Sequence, residues 1–211
     1  MFCEGIDWAA TGSMLSGIGA IVTPILAIIA ALYGYTDWKK RERYKSNRSI
    51  AIEALSVFDE MREALDGIRS PFSPGHEQAE AKQALAEAGI NENDQRFHAR
   101  TQQYVVQKRI QDRNEQWEKV AAIAPKLYAH FGSDTKVHMR ELLKARQEVW
   151  VAAEMYGSST SDKTLERAHA AIWKGYGAAT EKGVDEIDKK LDEAQRAMEE
   201  KLRIYVEWDR K

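Results

Sequence analysis

The sequence has one cysteine, Cys3, and lacks the short motifs that mark common enzyme classes. A single cysteine excludes a disulfide framework and a cysteine-based zinc site within one chain. A Walker loop, a Gly-x-Gly-x-x-Gly turn and a Gly-x-Ser-x-Gly elbow are also missing from the sequence. No residue pattern therefore fixes a biochemical activity, and the sequence predicts no cofactor and no metal.

Charge is absent from residues 9–36, a run of 28 positions. Met14 to Leu32 is almost entirely apolar and would rise about 28 Å as a helix, which matches the hydrocarbon core of a bilayer. A cleaved secretory signal would instead need a basic start and a shorter apolar core. The sequence thus predicts a transmembrane helix at 12–36, after a short extracytoplasmic N-terminus at 1–11.

Basic residues are absent before this span and frequent directly after it, which indicates its orientation. Positions 39–48 contain six of them, the candidate contacts to anionic lipid: Lys39, Lys40, Arg41, Arg43, Lys45 and Arg48. The positive-inside rule places such a cluster in the cytoplasm. We therefore expect a single-pass protein of the bacterial inner membrane, with Trp8, Tyr33, Tyr35 and Trp38 as interfacial anchors.

One face of the predicted span consists only of small residues, spaced alternately by four and three. They are Ser16, Ala20, Thr23, Ala27, Ala30 and Gly34. Small residues let helix backbones approach closely in lipid, where packing drives association. This face predicts a homo-oligomer formed through the membrane helix.

The rest of the chain is polar, nearly neutral and helical in pattern. All 31 Lys and Arg residues lie beyond position 38, together with 30 of the 33 acids, so no nucleic-acid partner is expected. The absence of Pro and Gly from Tyr35 to Asp66 predicts that the span continues as a basic stalk and first bundle helix over 37–69. Residues 70–211 form the remainder of an all-α, up-and-down bundle.

The later helices are predicted from residues that end helices and from apolar residues at helical spacing. Ser70–Gly75 ends the first helix, and a short helix covers about Glu77–Ala88. A long helix then runs to His130 and is bent or interrupted at Pro125. Three more helices are predicted after Gly132. The first carries apolar residues at helical spacing from Leu142 to Tyr156, the second lies at about Lys163–Lys174, and the last has its apolar residues in heptad register. These heptads suit packing within the chain or an intermolecular coiled coil.

Two weak pairings are candidate sites. Glu166 and His169 have the Glu-x-x-His spacing of di-iron bundles, although the required second copy is missing. Arg69 and His76 have the spacing of the Arg-x(4–6)-His element in HEPN ribonucleases, although two prolines interrupt the helix that normally presents it. The main interpretation of both pairs is structural, with Phe72 closing the end of the bundle.

The layout resembles uncharacterised bacterial single-pass membrane proteins of about this size. The shared features are the span, the basic stalk, Gly67–Ser73, and short motifs at His130–Gly132, Met155–Gly157 and Ala171–Trp173. The resemblance implies a cytoplasmic helical domain, and no catalytic or binding residue carries over from it.

Two functions are consistent with this organisation. The first is a non-enzymatic, membrane-anchored interaction or scaffold protein that self-associates in the bilayer and docks a cytoplasmic partner. The alternative is a membrane effector of a bacterial defence or toxicity system, acting as a pore or as a helical-bundle nuclease. The absence of an assembled catalytic motif favours the first.

Overall fold

The computed structural model describes the backbone of residues 8–175 and 185–207, and the side chains from Ile25 onward in those ranges. Over this part of the chain the fold is all-α, as predicted from the sequence. The helices are α1 (Trp8–Ile68), α2 (Gly75–Glu87), α3 (Phe97–Asp112), α4 (Asn114–Phe131), α5 (Ser133–Ser158), α6 (Asp162–Ile172) and α7 (Glu186–Val206).

The chain divides into two compact units, with the boundary after Asn47. The first unit contains the N-terminal part of α1, and its side chains from Ile25 to Tyr35 are exposed. The second unit begins at Arg48 and contains the helical bundle. The boundary between the two units lies within the segment predicted at 37–69. The domain boundaries predicted at 36 and 69 stay predictions.

The bundle is held together by one apolar core to which α1 and α3–α7 contribute. Phe58, Met61 and Leu65 recur at helical spacing on α1 and are at most 1% exposed. The apolar side of α4 is also buried, at Trp117, Val120 and Leu127. Burial at helical spacing explains why this charged sequence folds as a bundle, because each helix has one apolar side.

The helix predicted to run to His130 is two helices, and α4 is not interrupted at Pro125, where the predicted bend stays a prediction. The break lies at Arg113, whose backbone (φ −102°, ψ 15°) leaves the helical region between α3 and α4. Pro125 lies inside α4. The break lets α3 and α4 each pack on α5. No proline or glycine marks this position, so the sequence carried no breaker signal for it.

The end of α2 at Gly89 agrees with the sequence. Gly89 has φ +78°, which glycine adopts without a steric penalty. The Ile90 amide donates to the Leu85 carbonyl at 2.9 Å and the Gly89 amide donates to the Ala86 carbonyl at 3.0 Å. This pair of bonds is the Schellman arrangement, and it brings Ile90 back to Leu85.

The heptad stripe of α7 is used within the chain. Ile187, Leu191, Met198 and Leu202 are at most 4% exposed, and they belong to the common core. The Asp185 carboxylate caps this helix, because its Oδ1 accepts from the Ile187 amide at 3.1 Å and the Asp188 amide at 3.2 Å. Of the two interpretations of these heptads, the structure supports packing inside one bundle.

Candidate functional site

Arg69 is the most completely buried charged residue among the described positions, with no exposed surface. Its Nη2 donates to Asp185 Oδ2 at 2.5 Å, its Nη1 donates to Asp188 Oδ1 at 2.9 Å, and its Nε donates to the Ala171 carbonyl at 2.9 Å. The Lys174 amide donates to the Arg69 carbonyl at 2.8 Å. Arg69 therefore joins the ends of α1 and α6 to the start of α7.

The environment of the Arg69 cluster is desolvated. Burial raises the pKa of Asp188 above its ordinary value, the guanidinium of Arg69 opposes that shift, and the carboxylate of Asp185 adds to it. The side chains of Asp185 and Asp188 are 9% and 23% exposed. A buried arginine shared by two carboxylates is a structural ion-pair cluster, because its donors are already used inside the fold.

The predicted pair of Arg69 and His76 does not form a joint site. The side chain of Arg69 is fully buried with its ion-pair partners, whereas the side chain of His76 is exposed on α2. The Ser70–Pro74 loop separates α1 from α2, as the two prolines suggested. A nuclease pair would have to present both side chains to one phosphate, and the guanidinium of Arg69 is not accessible for that role.

Arg109 is a second buried arginine, 6% exposed, which the sequence did not reveal. Its Nη1 donates to the Ser70 carbonyl at 2.8 Å and its Nη2 donates to the Phe72 carbonyl at 2.7 Å. It also forms a two-nitrogen contact with the Glu77 carboxylate, with Nη2–Oε2 at 2.7 Å. Arg109 thus fixes the loop after α1. A sequence signal is absent because Arg109 lies in an ordinary charged helical stretch.

Phe72 projects from this fixed loop and is 85% exposed. The prediction that it closes the end of the bundle is therefore wrong, because the loop carbonyls turn inward to Arg109 and the ring turns outward. The sequence also makes Trp117, Trp173, Tyr128 and Tyr176 candidates for core or helix-crossing positions, and Trp117 and Trp173 are buried. Tyr128 of α4 is 57% exposed and does not belong to the core, but Lys136 Nζ of α5 lies 5.3 Å from the centroid of its ring. Tyr176 lies outside the described residues.

Glu166 and His169 both lie on α6, but they do not build a metal site with their neighbours. Glu166 is exposed, and the described residues contain no group of three or more potential metal ligands. The His169 ring lies between Tyr156 and Trp173, tilted to the first and edge-on to the second, with ring centroids 5.4 Å and 6.4 Å away. Burial lowers the pKa of His169, and His98 lowers it further. The surroundings of His169 are therefore aromatic.

The predicted membrane residues fall partly outside the described side chains. Trp8, Ser16, Ala20 and Thr23 lie outside them, whereas Ala27, Ala30 and Gly34 are described and exposed. In the portion of the chain with described residues, no helix is both long enough and apolar enough to cross a membrane.

Aromatic and basic residues at the end of the predicted span form a small cluster. The rings of Tyr35 and Trp38 lie 6.0 Å apart, and Lys39 Nζ lies 6.0 Å from the centroid of Tyr35. Arg41 pairs with Asp37 at 2.6 Å, where both side chains remain exposed. The cluster therefore combines aromatic rings and cations on an exposed stretch of α1.

Comparison of the chain with protein-family models, with curated proteins and with solved structures yields no match.

Proposed function

We propose that this chain is a membrane-anchored helical interaction protein, inserted through residues 12–36 with its bundle on the cytoplasmic side. The supporting observation is an uncovered apolar run on α1. Ile25, Leu26, Ile28, Ile29 and Leu32 are 43–60% exposed. Exposed apolar area costs roughly 25 cal/mol per Å² in water. Lipid would remove that cost, and residues 14–24 would supply the remaining apolar length.

The charge after the run supports the orientation. The six basic residues at 39–48 follow the exposed aromatic cluster directly, and each is worth about 1 kcal/mol near an anionic leaflet. The ion pair with Asp37 reduces the contribution of Arg41. An aromatic and basic border of this kind is typical of the cytoplasmic end of a membrane helix.

Self-association is proposed through the small-residue face. The described members, Ala27, Ala30 and Gly34, are exposed, and a Cβ placed on Gly34 would meet no atom within 4 Å. The face is thus open to a second helix. The cytoplasmic bundle would then dock a protein partner beside the assembled spans. No described arrangement favours the pore or nuclease alternative, which stays a prediction.

The single native cysteine allows a clean test of anchorage and orientation. In spheroplasts, a membrane-impermeant maleimide should label Cys3 of the wild-type chain without lysis. The variant Cys3→Ser/Thr160→Cys carries the thiol at an exposed position of the loop after α5, and it should be labelled only after lysis. Release of the chain by alkaline carbonate, or labelling of both proteins only after lysis, would refute the proposed insertion.

The oligomer is tested by the mass of the full chain in nanodiscs. The wild type should give a defined homo-oligomer, and Ala27→Leu/Ala30→Leu should shift it towards monomer. The matched control is Ile25→Leu/Ile28→Leu, which adds no bulk to the small face and should leave the mass unchanged. A monomeric wild type, or equal masses for all three proteins, would remove self-association from the proposal.

A further inference from the structure

A groove runs along α3, between the end of α2 and the end of α5. Residues 96, 100, 103, 104 and 107 are spaced so that they share one face of the helix. They are Arg96, Arg100, Gln103, Tyr104 and Gln107, and Leu85, Ile90, Gly157 and Ser158 complete the walls. The groove has a volume of about 560 Å³. This is within the range of small-molecule sites.

One end of the groove carries surplus positive charge. Asp94 Oδ2 lies 3.6 Å from Arg100 Nη1, while Asp94 Oδ1 accepts from the Arg96 amide at 2.8 Å. The Arg96 guanidinium donates to the Ser158 carbonyl and, within the described part of the chain, has no carboxylate in ion-pair range. The Arg100 guanidinium therefore has one long ion pair and the Arg96 guanidinium has none among the described residues, which leaves donors for an external anion.

The middle of the groove offers unused hydrogen-bonding groups. The side-chain amides of Gln103 and Gln107 are half-buried and make no hydrogen bond to any other residue in the described ranges. Gln103 packs directly on the backbone of α5, since a Cβ on Gly157 would lie 1.8 Å from its Oε1. The ring of Tyr104 lies beside these amides on the same helix face.

The opposite wall is apolar. Leu85 is 8% exposed, and Ile90 is half-buried where the Schellman turn after α2 returns it to that helix. The groove thus combines a cationic end, free amides, an aromatic ring and an aliphatic wall. A cleft with a few convergent polar groups on an apolar surface is the usual form of a ligand site.

We propose that this groove binds a small organic anion whose carboxylate or phosphate is joined to a planar, apolar body. The oxyanion would lie between Arg96 and Arg100, because an arginine fork matches both head groups. The planar body would lie against Tyr104 and the Leu85 wall. The amides of Gln103 and Gln107 would bond its polar edge.

Calorimetric titration of the full chain in detergent tests this site with simple probes. Phenyl phosphate and benzoate distinguish the two head groups, inorganic phosphate lacks the planar body, and phenol lacks the charge. At least one of the two aromatic anions should bind saturably. Phenol should not bind, and inorganic phosphate should bind more weakly than phenyl phosphate. The preferred anion identifies the head group.

Substitutions inside and outside the groove test whether the anion binds there. Arg96→Gln/Arg100→Gln should weaken the affinity roughly tenfold or more. The matched control, Arg140→Gln/Lys163→Gln, removes two exposed charges outside the groove and should leave it unchanged. Gly157→Ala retains both arginines and should weaken binding, because its Cβ would displace the side chain of Gln103, which lines the groove. It therefore tests the site even if the double arginine variant fails to fold.

Three results would overturn the assignment. They are the absence of saturable binding by either aromatic anion, equal weakening in the arginine variant and its control, and full affinity in folded Gly157→Ala. Equal affinity for inorganic phosphate and phenyl phosphate would remove the planar body from the proposal.

Discussion

At the scale of single residues, the two buried arginines do most to shape the bundle around the loop after α1. Arg69 holds the end of α1 to α7, and Arg109 holds the loop carbonyls. A buried ion pair is weak evidence for stability, because desolvation offsets the attraction. Removing one partner is costly, because the other charge is left buried without compensation.

Arg69→Met should therefore destabilise the protein strongly, by about 3–5 kcal/mol, with the partial exposure of Asp188 favouring the lower end. The measurement is denaturant unfolding of the full chain in detergent, followed by tryptophan fluorescence. Arg69→Met/Asp185→Asn/Asp188→Asn should recover much of the loss, because it leaves no buried charge and an asparagine still caps α7. A triple variant as unstable as the single one would contradict this account.

The contacts of single residues were also the features that the sequence predicted least well. A helix-end arginine such as Arg69 gives no sign that its carboxylate partners lie 116 and 119 positions away. Phe72 suggested a buried plug because it is large and apolar, yet its orientation is decided by Arg109, which binds the loop from α3. Long-range polar contacts of this kind have no periodicity that a single sequence could display.

At the scale of elements, helices with local signals were predicted well. Gly89 and Gly132 end helices with positive φ angles, and α7 follows its heptads. The α3–α4 break had no such signal at Arg113, because it is imposed by packing on α5. The groove on α3 has the same origin, since its facing walls come from α2 and α5.

The short helix α6 gives a pH-dependent prediction. Burial and His98 lower the pKa of His169 below its ordinary value of 6.5. As pH falls through about 6.5, the unfolded chain takes up this proton before the folded chain does, so stability decreases until the lowered pKa is passed. Unfolding free energies between pH 7.5 and 5 should therefore fall less in His169→Phe than in the wild type.

His169→Phe is suitable because it retains a ring between Tyr156 and Trp173. His76→Phe is the matched control, because it makes the same substitution at a histidine that lies exposed on α2. Identical pH profiles for the wild type and His169→Phe would show that this histidine is not linked to folding.

At the scale of the whole molecule, many ion pairs cross between the bundle helices, yet the apolar core should dominate stability. Lys119–Glu60 and Lys126–Glu53 join α4 to α1 at 2.6 Å and 3.0 Å, but their side chains are 40–51% exposed. Exposed pairs contribute about 0–1 kcal/mol each, and salt screens them. Leu127, which follows Lys126 in sequence, is fully buried in the core.

Leu127→Ala should lower the free energy of unfolding by about 2–5 kcal/mol, because it removes apolar contact and leaves a cavity. Lys119→Gln/Lys126→Gln breaks both ion pairs on the same helix and should cost less than about 2 kcal/mol, a loss that high salt abolishes. Denaturant unfolding of the full chain in detergent, at low and high salt, separates the two effects. If the lysine variant were the less stable protein at both salt concentrations, charge pairing would be the main force joining α1 to α4.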